Sequence, residues 1–265
     1  VKNVRVFLNG RVQGTAAYGK ARADDGGART GFEYTIKRNS LFPGNNTILV
    51  EIHGNSGEKL TYSKVIQVEK IPTIVIDAGH GGKDPGARGL LNGSYVYEKN
   101  SVLQYSLALE EALKAAGYHV IMTRRDDRFV ELSDRAKMAN DSHADLFFSI
   151  HHDWSNSASS QGAFLIYPSM KITSISESTL SESKEVADLV KKGFLSMGFA
   201  DRRNGTDTSI SGHTLAVLRQ SHMRSVLAEI GYMSNSQDLL KITDPVFQKA
   251  MAKVMADQIR AYFGF

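Results

Sequence analysis

The 265-residue sequence has no cysteine. That excludes disulfides, thiol nucleophiles and thiolate metal sites, and leaves histidine, carboxylate and water as the available metal ligands. It also has no run of about 18 apolar residues, so no segment reads as a membrane-spanning helix. Internal repeats and low-complexity tracts are missing as well, and Trp154 is the only tryptophan. What remains is an ordinary folded composition, 42% hydrophobic and 23% charged, long enough for one large α/β domain or two smaller ones. The chain opens on Val1 with no charged and apolar leader, compatible with a removed signal peptide and equally with a sequence that never included one.

Charge is unevenly distributed. Residues 1–70 hold 11 Lys and Arg against 6 Asp and Glu, whereas residues 71–265 hold 21 against 22. The basic excess therefore belongs to the N-terminal segment, where it suits an anionic surface or simply a solvated basic face.

The same division appears in the hydrophobic patterning. Residues 1–70 read as short strands, VRVFLNG, GFEYTIKRN, NTILVEIHG and TYSKVIQVEK, with apolar alternation at Val4, Val6 and Leu8 and at Ile48, Val50 and Ile52. Turn chemistry separates them at Asn9-Gly10, Pro43-Gly44-Asn45-Asn46 and Gly54-Asn55-Ser56-Gly57. The expected unit is a small all-β, sandwich-like domain lacking an obvious catalytic residue.

From Ile71 onward strands alternate with amphipathic helices, which predicts an α/β domain with a mostly parallel twisted sheet and helices on both faces. Strands are expected at 73–77, 119–123, 145–151, 163–167 and 225–230. Helices are expected at about 100–116, ending at Gly117, at about 183–196, and from Asp244-Pro245 onward, where an N-cap is followed by proline at the first helical position. The stretches 155–160 and 171–183 read as exposed loops, and the polar segment 155–183 is a candidate gate over any site nearby.

The most unusual stretch is IPTIVIDAGHGGKDPGARG, residues 71–89, in which an apolar strand ends in a glycine-rich loop carrying His80. It is not a dinucleotide fingerprint, because Asp84 stands where a third glycine belongs. Nor is it a P-loop, because Lys83 is followed by Asp84 rather than Ser or Thr. Ligands of open α/β sheets bind beyond the carboxyl ends of the strands. His80 follows one strand end, His151 ends another, Glu229 lies at the end of a third, and Glu98 immediately precedes the first long helix.

Two imidazoles and two carboxylates can thus share one crevice. That set suits catalytic zinc held by two His and one Glu, with the remaining carboxylate free to move a proton. Each residue also has a plainer role: His80 as a turn residue and Glu98 as a charge at a helix N-terminus. Glu229, flanked by Ala228 and Ile230, is the hardest to explain without chemistry, because a buried carboxylate without a partner is costly. His151 and His152 are adjacent and so point to opposite faces of a strand. His53, His119, His143, His213 and His222 read as structural or surface residues, with His213 the exception to watch because its loop is glycine-flanked.

The stretches IVIDAGHGGKDPGA (74–87), YEKN (97–100), LSDRAKMANDSHADLFFSIHHD (132–153) and VLAEIGYMSN (226–235) together resemble the zinc-dependent N-acetylmuramoyl-L-alanine amidases, the peptidoglycan amidase family often called amidase type 3. The resemblance implies that His80, Glu98 and His151 bind Zn²⁺, that Glu229 is the catalytic carboxylate and that Arg135 is structural. It further implies hydrolysis of the amide between the lactyl group of N-acetylmuramic acid and L-alanine. The implied partner is peptidoglycan, with no nucleic acid, at an extracytoplasmic location.

Two departures from the family stand out. His152 occupies a position where the family commonly has a small residue, and Arg224 stands where proline is usual. Residues 1–70 resemble bacterial immunoglobulin-like modules attached to secreted enzymes. The alternatives are a peptidoglycan-binding protein on an amidase scaffold and a zinc peptidase acting within the stem peptide.

Overall fold

A computed structural model describes residues 1–18, 32–36, 41, 44–68 and 70–264. The chain divides into two compact units, Val1–Ile71 and Pro72–Phe265.

In the first unit β1 (Asn3–Leu8), β2 (Arg11–Thr15), β5 (Gly44–His53) and β6 (Lys59–Val68) form an antiparallel sheet in the order β2-β1-β5-β6, and β3 (Ala17–Tyr18) pairs with β4 (Phe32–Glu33) in a short second ladder. The alternation read from the sequence is the reason: Val4, Val6 and Leu8 are buried and lie opposite Ile52, Val50 and Ile48 of β5. Of the expected strand GFEYTIKRN only Phe32–Glu33 is extended among the described residues, and Pro43 of the expected turn lies outside them. Gly44 to Asn46, expected in that turn, begin β5 instead. β2 was not expected, because RVQGT lacks apolar alternation.

The second unit runs β7 (Thr73–Ala78), β8 (Arg88–Leu91), β9 (Ser94–Tyr97), α1 (Glu98–Ala115), β10 (His119–Met122), α2 (Leu132–Asp141), β11 (Leu146–Asp153), β12 (Phe164–Tyr167), α3 (Glu177–Ser196), β13 (Gly205–Thr206), α4 (Asp207–Ser211), α5 (Ala216–Arg219), β14 (Arg224–Tyr232), α6 (Ser236–Thr243) and α7 (Pro245–Phe263). Its central sheet has the order β10-β7-β11-β14-β12-β13. The first four of these strands are mutually parallel, while β12 runs antiparallel to β14. The connection from β11 to β12, residues 154–163, carries no crossover helix, so the chain returns from the same end of the sheet and β12 is reversed.

Both faces of this sheet are covered. Ile74, Ile76, Phe148, Ile150, Val226 and Ala228 pack with α1, α3 and α7, whereas Val75, Phe147, Leu227 and Ile166 pack with Ala139 of α2 and with Val217 and Leu218 of α5. α1 ends as expected: Gly117, at φ +93°, is followed by a Tyr118 N–H donating to Leu113 O and is itself bonded to Lys114 O, satisfying two terminal carbonyls. α7 begins as expected, with Asp244 accepting from Val246 N.

Two expectations fail. α3 begins at Glu177 rather than near Ser183, because Ser176 caps it by accepting from Thr179 N and the serines of this turn conceal the helical period. The segment 155–183 is therefore not one loop, being interrupted by β12 and the first turns of α3. The hairpin β8–β9 and helix α6 were not foreseen, both lying in stretches too short for a clear period.

Candidate metal centre and active site

Three strand ends and one helix start meet where the sequence reading expects. β7 delivers the loop 79–86, in which His80, Gly81 and Gly82 take successive positive φ angles of 59°, 120° and 57°. The glycines answer a spatial demand. A Cβ on Gly79 would lie 2.3 Å from the His151 ring, and one on Gly86 would lie 2.6 Å from both Glu98 Oε2 and His80 Cδ2. Glu98 does not precede α1, as expected, but is its first residue.

His80 Nε2 is 3.0 Å from Glu98 Oε1, His151 Nδ1 is 3.0 Å from the same oxygen, and the two ring nitrogens are 3.1 Å apart. This near-equilateral triangle of donor atoms is the one group of three or more His and carboxylate side chains, among the described residues, arranged to hold a metal ion. Ligands at about 2.0–2.1 Å in tetrahedral geometry stand about 3.3 Å apart, close to the observed sides. Both nitrogens face each other and a single oxygen, while the other nitrogen of His80 already contacts Asp84 Oδ2 at 2.7 Å.

The surroundings orient each member. Asp84, fixed by Gly86 N–H donating to Oδ1, sets the tautomer of His80 through Nδ1, an arrangement common behind metal-bound imidazoles. Glu98 is buried, with Oε2 accepting from Ala87 N and Oε1 from His152 N. Burial acts to raise its pKa, but the hydrogen bonds with His151 and His80 outweigh it and hold the carboxyl well below its ordinary range.

Glu229 behaves oppositely. It is the register partner of His151 on the adjacent parallel strand, and its Oε2 is sealed from solvent with no hydrogen-bond partner. Burial, reinforced by the negative charges of Glu98 and Asp153, pushes its pKa well above that of an ordinary glutamate. A carboxylate beside a cation site, with an uncommitted oxygen and a raised proton affinity, is equipped to accept and return a proton.

His151 and His152 part as strand phase requires. His152 lies on the other face, buried beneath α1, with Nδ1 2.6 Å from Ile230 O and Nε2 2.9 Å from Ser101 Oγ. Burial pushes its pKa down to about 4, so it is a neutral structural group. His119, His143, His213 and His222 are exposed and outside the donor cluster, as is the half-buried His53.

Two buried arginines fasten the loop. Arg135 donates to Asp77, Ala78 O and His80 O, and Asp77 is held further by Thr123 and Ser149. Arg124 donates to Ala78 O at 2.9 Å, Gly79 O at 2.6 Å and Lys99 O at 2.8 Å, so one guanidinium ties the His80 loop to the first turn of α1. Sequence reasoning missed Arg124 and Asp84. For Arg124 the usable signal was its position just past the carboxyl end of β10; for Asp84 there was only its place in the His80 loop.

Residues 74–261 match the family profile described as Amidase_3, N-acetylmuramoyl-L-alanine amidase. Over 191 residues the chain is 31% identical to the probable cell wall amidase LytH of Staphylococcus epidermidis, a match covering 72% of this chain and 58% of that relative. The chain thus spans little more than half the length of the curated relatives of this kind. Among solved structures, the catalytic domain of CwlV, an N-acetylmuramoyl-L-alanine amidase from Bacillus (Paenibacillus) polymyxa var. colistinus, superposes with a TM-score of 0.63 at 34% identity, over 73% of this chain and 98% of that one. An N-acetylmuramoyl-L-alanine amidase from Clostridium difficile 630 gives 0.63 at 30% identity, over 73% and 97%.

Proposed function

The chain belongs to the Amidase_3 family of N-acetylmuramoyl-L-alanine amidases, and we propose that its second unit is a zinc-dependent peptidoglycan hydrolase cutting the amide between the lactyl group of N-acetylmuramic acid and L-alanine. The observation that carries this reading is the triangle of His80 Nε2, Glu98 Oε1 and His151 Nδ1 with Glu229 paired alongside it.

His80, Glu98 and His151 are the residues that would hold the metal. Bound there, Zn²⁺ would supply a Lewis acid that polarises the scissile carbonyl and brings the pKa of water towards about 7. Asp84 keeps His80 in the tautomer that presents Nε2. Glu229 takes the proton of the attacking water on a carboxylate oxygen and returns it to the nitrogen of the departing L-alanine, which leaves as a free amine. The uncommitted Oε2 supports that role, because a buried oxygen serving structure alone would be hydrogen-bonded.

The family and the cell-wall relatives favour an extracytoplasmic place of work, with peptidoglycan as partner. The antiparallel sheet of Val1–Ile71 is consistent with an immunoglobulin-like accessory module that positions or spaces the enzyme.

End-group analysis by mass spectrometry of peptidoglycan treated with the full chain, with and without a chelator, tests the reading. New L-alanine amino termini beside intact lactyl-bearing glycan, abolished by chelation and restored by zinc, are the expected result. Cleavage inside the stem peptide would convert the enzyme into a peptidase, and zinc binding without cleavage would leave a binding protein.

A further inference from the structure

Hairpin β8–β9 springs directly from the metal centre: Ala87, at its base, donates its N–H to Glu98 Oε2 and accepts from Glu98 N. In this hairpin Arg88 pairs with Tyr97 and Leu90 with Tyr95, so these four side chains share one face. The other face carries Leu91 and Val96 against the core, with Gly89 buried close to Leu239. The outer face is left open, with Leu90 61% and Tyr95 54% exposed. Trp154, half-exposed and with its backbone N–H donating to Asp153 Oδ1, lines the same cleft as Arg88, Leu90 and Tyr95. Exposed apolar and aromatic side chains gathered into one contiguous patch mark a binding surface.

Between hairpin and tryptophan lies a cleft of about 400 Å³, lined in part by Arg88, Tyr95, Trp154, Asn156, Ser234 and Ser236, within the range of small-molecule sites. Each wall continues a segment that carries a residue of the metal centre. Arg88 follows Ala87, Trp154 lies just beyond the strand of His151, and Ser234 lies just beyond the strand of Glu229. The lining combines the aromatic side chains of Tyr95 and Trp154 and apolar surface from Leu90, Met233 and Leu239 with hydroxyl and amide groups. Its one charged side chain, Arg88, has its guanidinium 4.4 Å from the centre of the Tyr95 ring. Such a lining suits an uncharged ring with apolar C–H faces and a rim of hydroxyl and acetamido groups.

We propose that this cleft is a saccharide subsite that binds an N-acetylated sugar of the glycan strand, the neighbour of the muramoyl residue whose amide is cut. It rests on the amidase reading for the identity of the polymer.

The chain's only tryptophan is itself the reporter. The full chain is titrated with chitotetraose, a β-1,4-linked N-acetylglucosamine tetramer with no peptide, while Trp154 emission is followed; a free stem peptide is titrated in parallel. A saturable change in emission with the sugar and none with the peptide is expected, and Tyr95→Ala, which keeps the reporter, should weaken sugar binding roughly tenfold. In turnover, Tyr95→Ala should raise KM for a disaccharide-peptide substrate by a similar factor.

No saturable change with chitotetraose, or a change with the peptide alone, overturns the proposal. Sugar binding needs no turnover. Failure of the amide-cleavage experiment with sugar binding intact would therefore sink the amidase reading alone, and the reverse would sink this subsite alone.

Discussion

His151 and Glu229 occupy paired positions on the parallel strands β11 and β14, so both side chains leave the sheet on the same side, one into the donor triangle and the other beside it. If Glu229 moves protons while His151 holds metal, the two should fail differently. Glu229→Gln is expected to lower turnover by about 10²–10⁴-fold with zinc still bound at one equivalent. His151→Ala should lose the metal itself, as metal analysis after gel filtration would report.

The same carboxylate has a pH signature in the zinc-free protein. Its folded-state pKa is raised above the unfolded value by burial and by Glu98 and Asp153. Its protonated form is therefore favoured in the native state, and the associated stability is complete below about pH 4.5 and lost as pH rises through the folded pKa. Zinc-free Glu229→Gln should accordingly be more stable than the parent at pH 7, with the difference shrinking towards pH 4.5. Urea unfolding across that range reads it directly, and a gap that widens on acidification would contradict the assignment.

Asp84 contacts His80 through Nδ1 and supplies no corner of the donor triangle. Asp84→Ala should weaken zinc binding by about 10–100-fold, the usual effect of removing such a partner. Stability without zinc should change by less than about 1 kcal/mol, because the Asp84 side chain is substantially exposed. Competition with a chromogenic chelator measures the first quantity and thermal unfolding the second.

His152 should show the reverse pattern. It is buried and bonded to Ile230 O and Ser101 Oγ, so His152→Ala is expected to cost about 2–4 kcal/mol through a cavity and unpaired polar groups. The zinc stoichiometry should remain one. Loss of zinc with unchanged stability would mean that the neighbouring histidine had been assigned wrongly.

Arg124 joins the His80 loop to the helix that begins with Glu98. Arg124→Lys keeps the charge and loses the fork, leaving buried carbonyls unpaired. A loss of about 2–4 kcal/mol is expected, together with weaker zinc binding. Arg125→Lys, next in sequence but largely exposed, should shift stability by no more than about 0.5 kcal/mol. Denaturant titrations of both variants, with and without zinc, separate the two effects.

By itself the sequence determined whatever depends on neighbours along the chain. The period-two patterns of Val4 to Leu8 and of β7, the capping of α7 by Asp244-Pro245 and the stop at Gly117 are local steric and hydrogen-bonding facts, readable from a few residues. Strand phase separated His151 from His152 for the same reason, since alternation needs no knowledge of the fold. Recognition of the four motifs then pointed to the family. Only the tertiary structure decided what is paired with what. Glu98 and His80 are separated by an entire hairpin, yet a Cβ on Gly86 would collide with both. Arg124 reaches Gly79 and Lys99 because β10 lies beside β7 in the sheet. The reversal of β12, the serine-masked start of α3 and the cleft facing Trp154 likewise follow from strand order and connection length. Those contacts join residues far apart in the chain, and local periodicity carries no information about them.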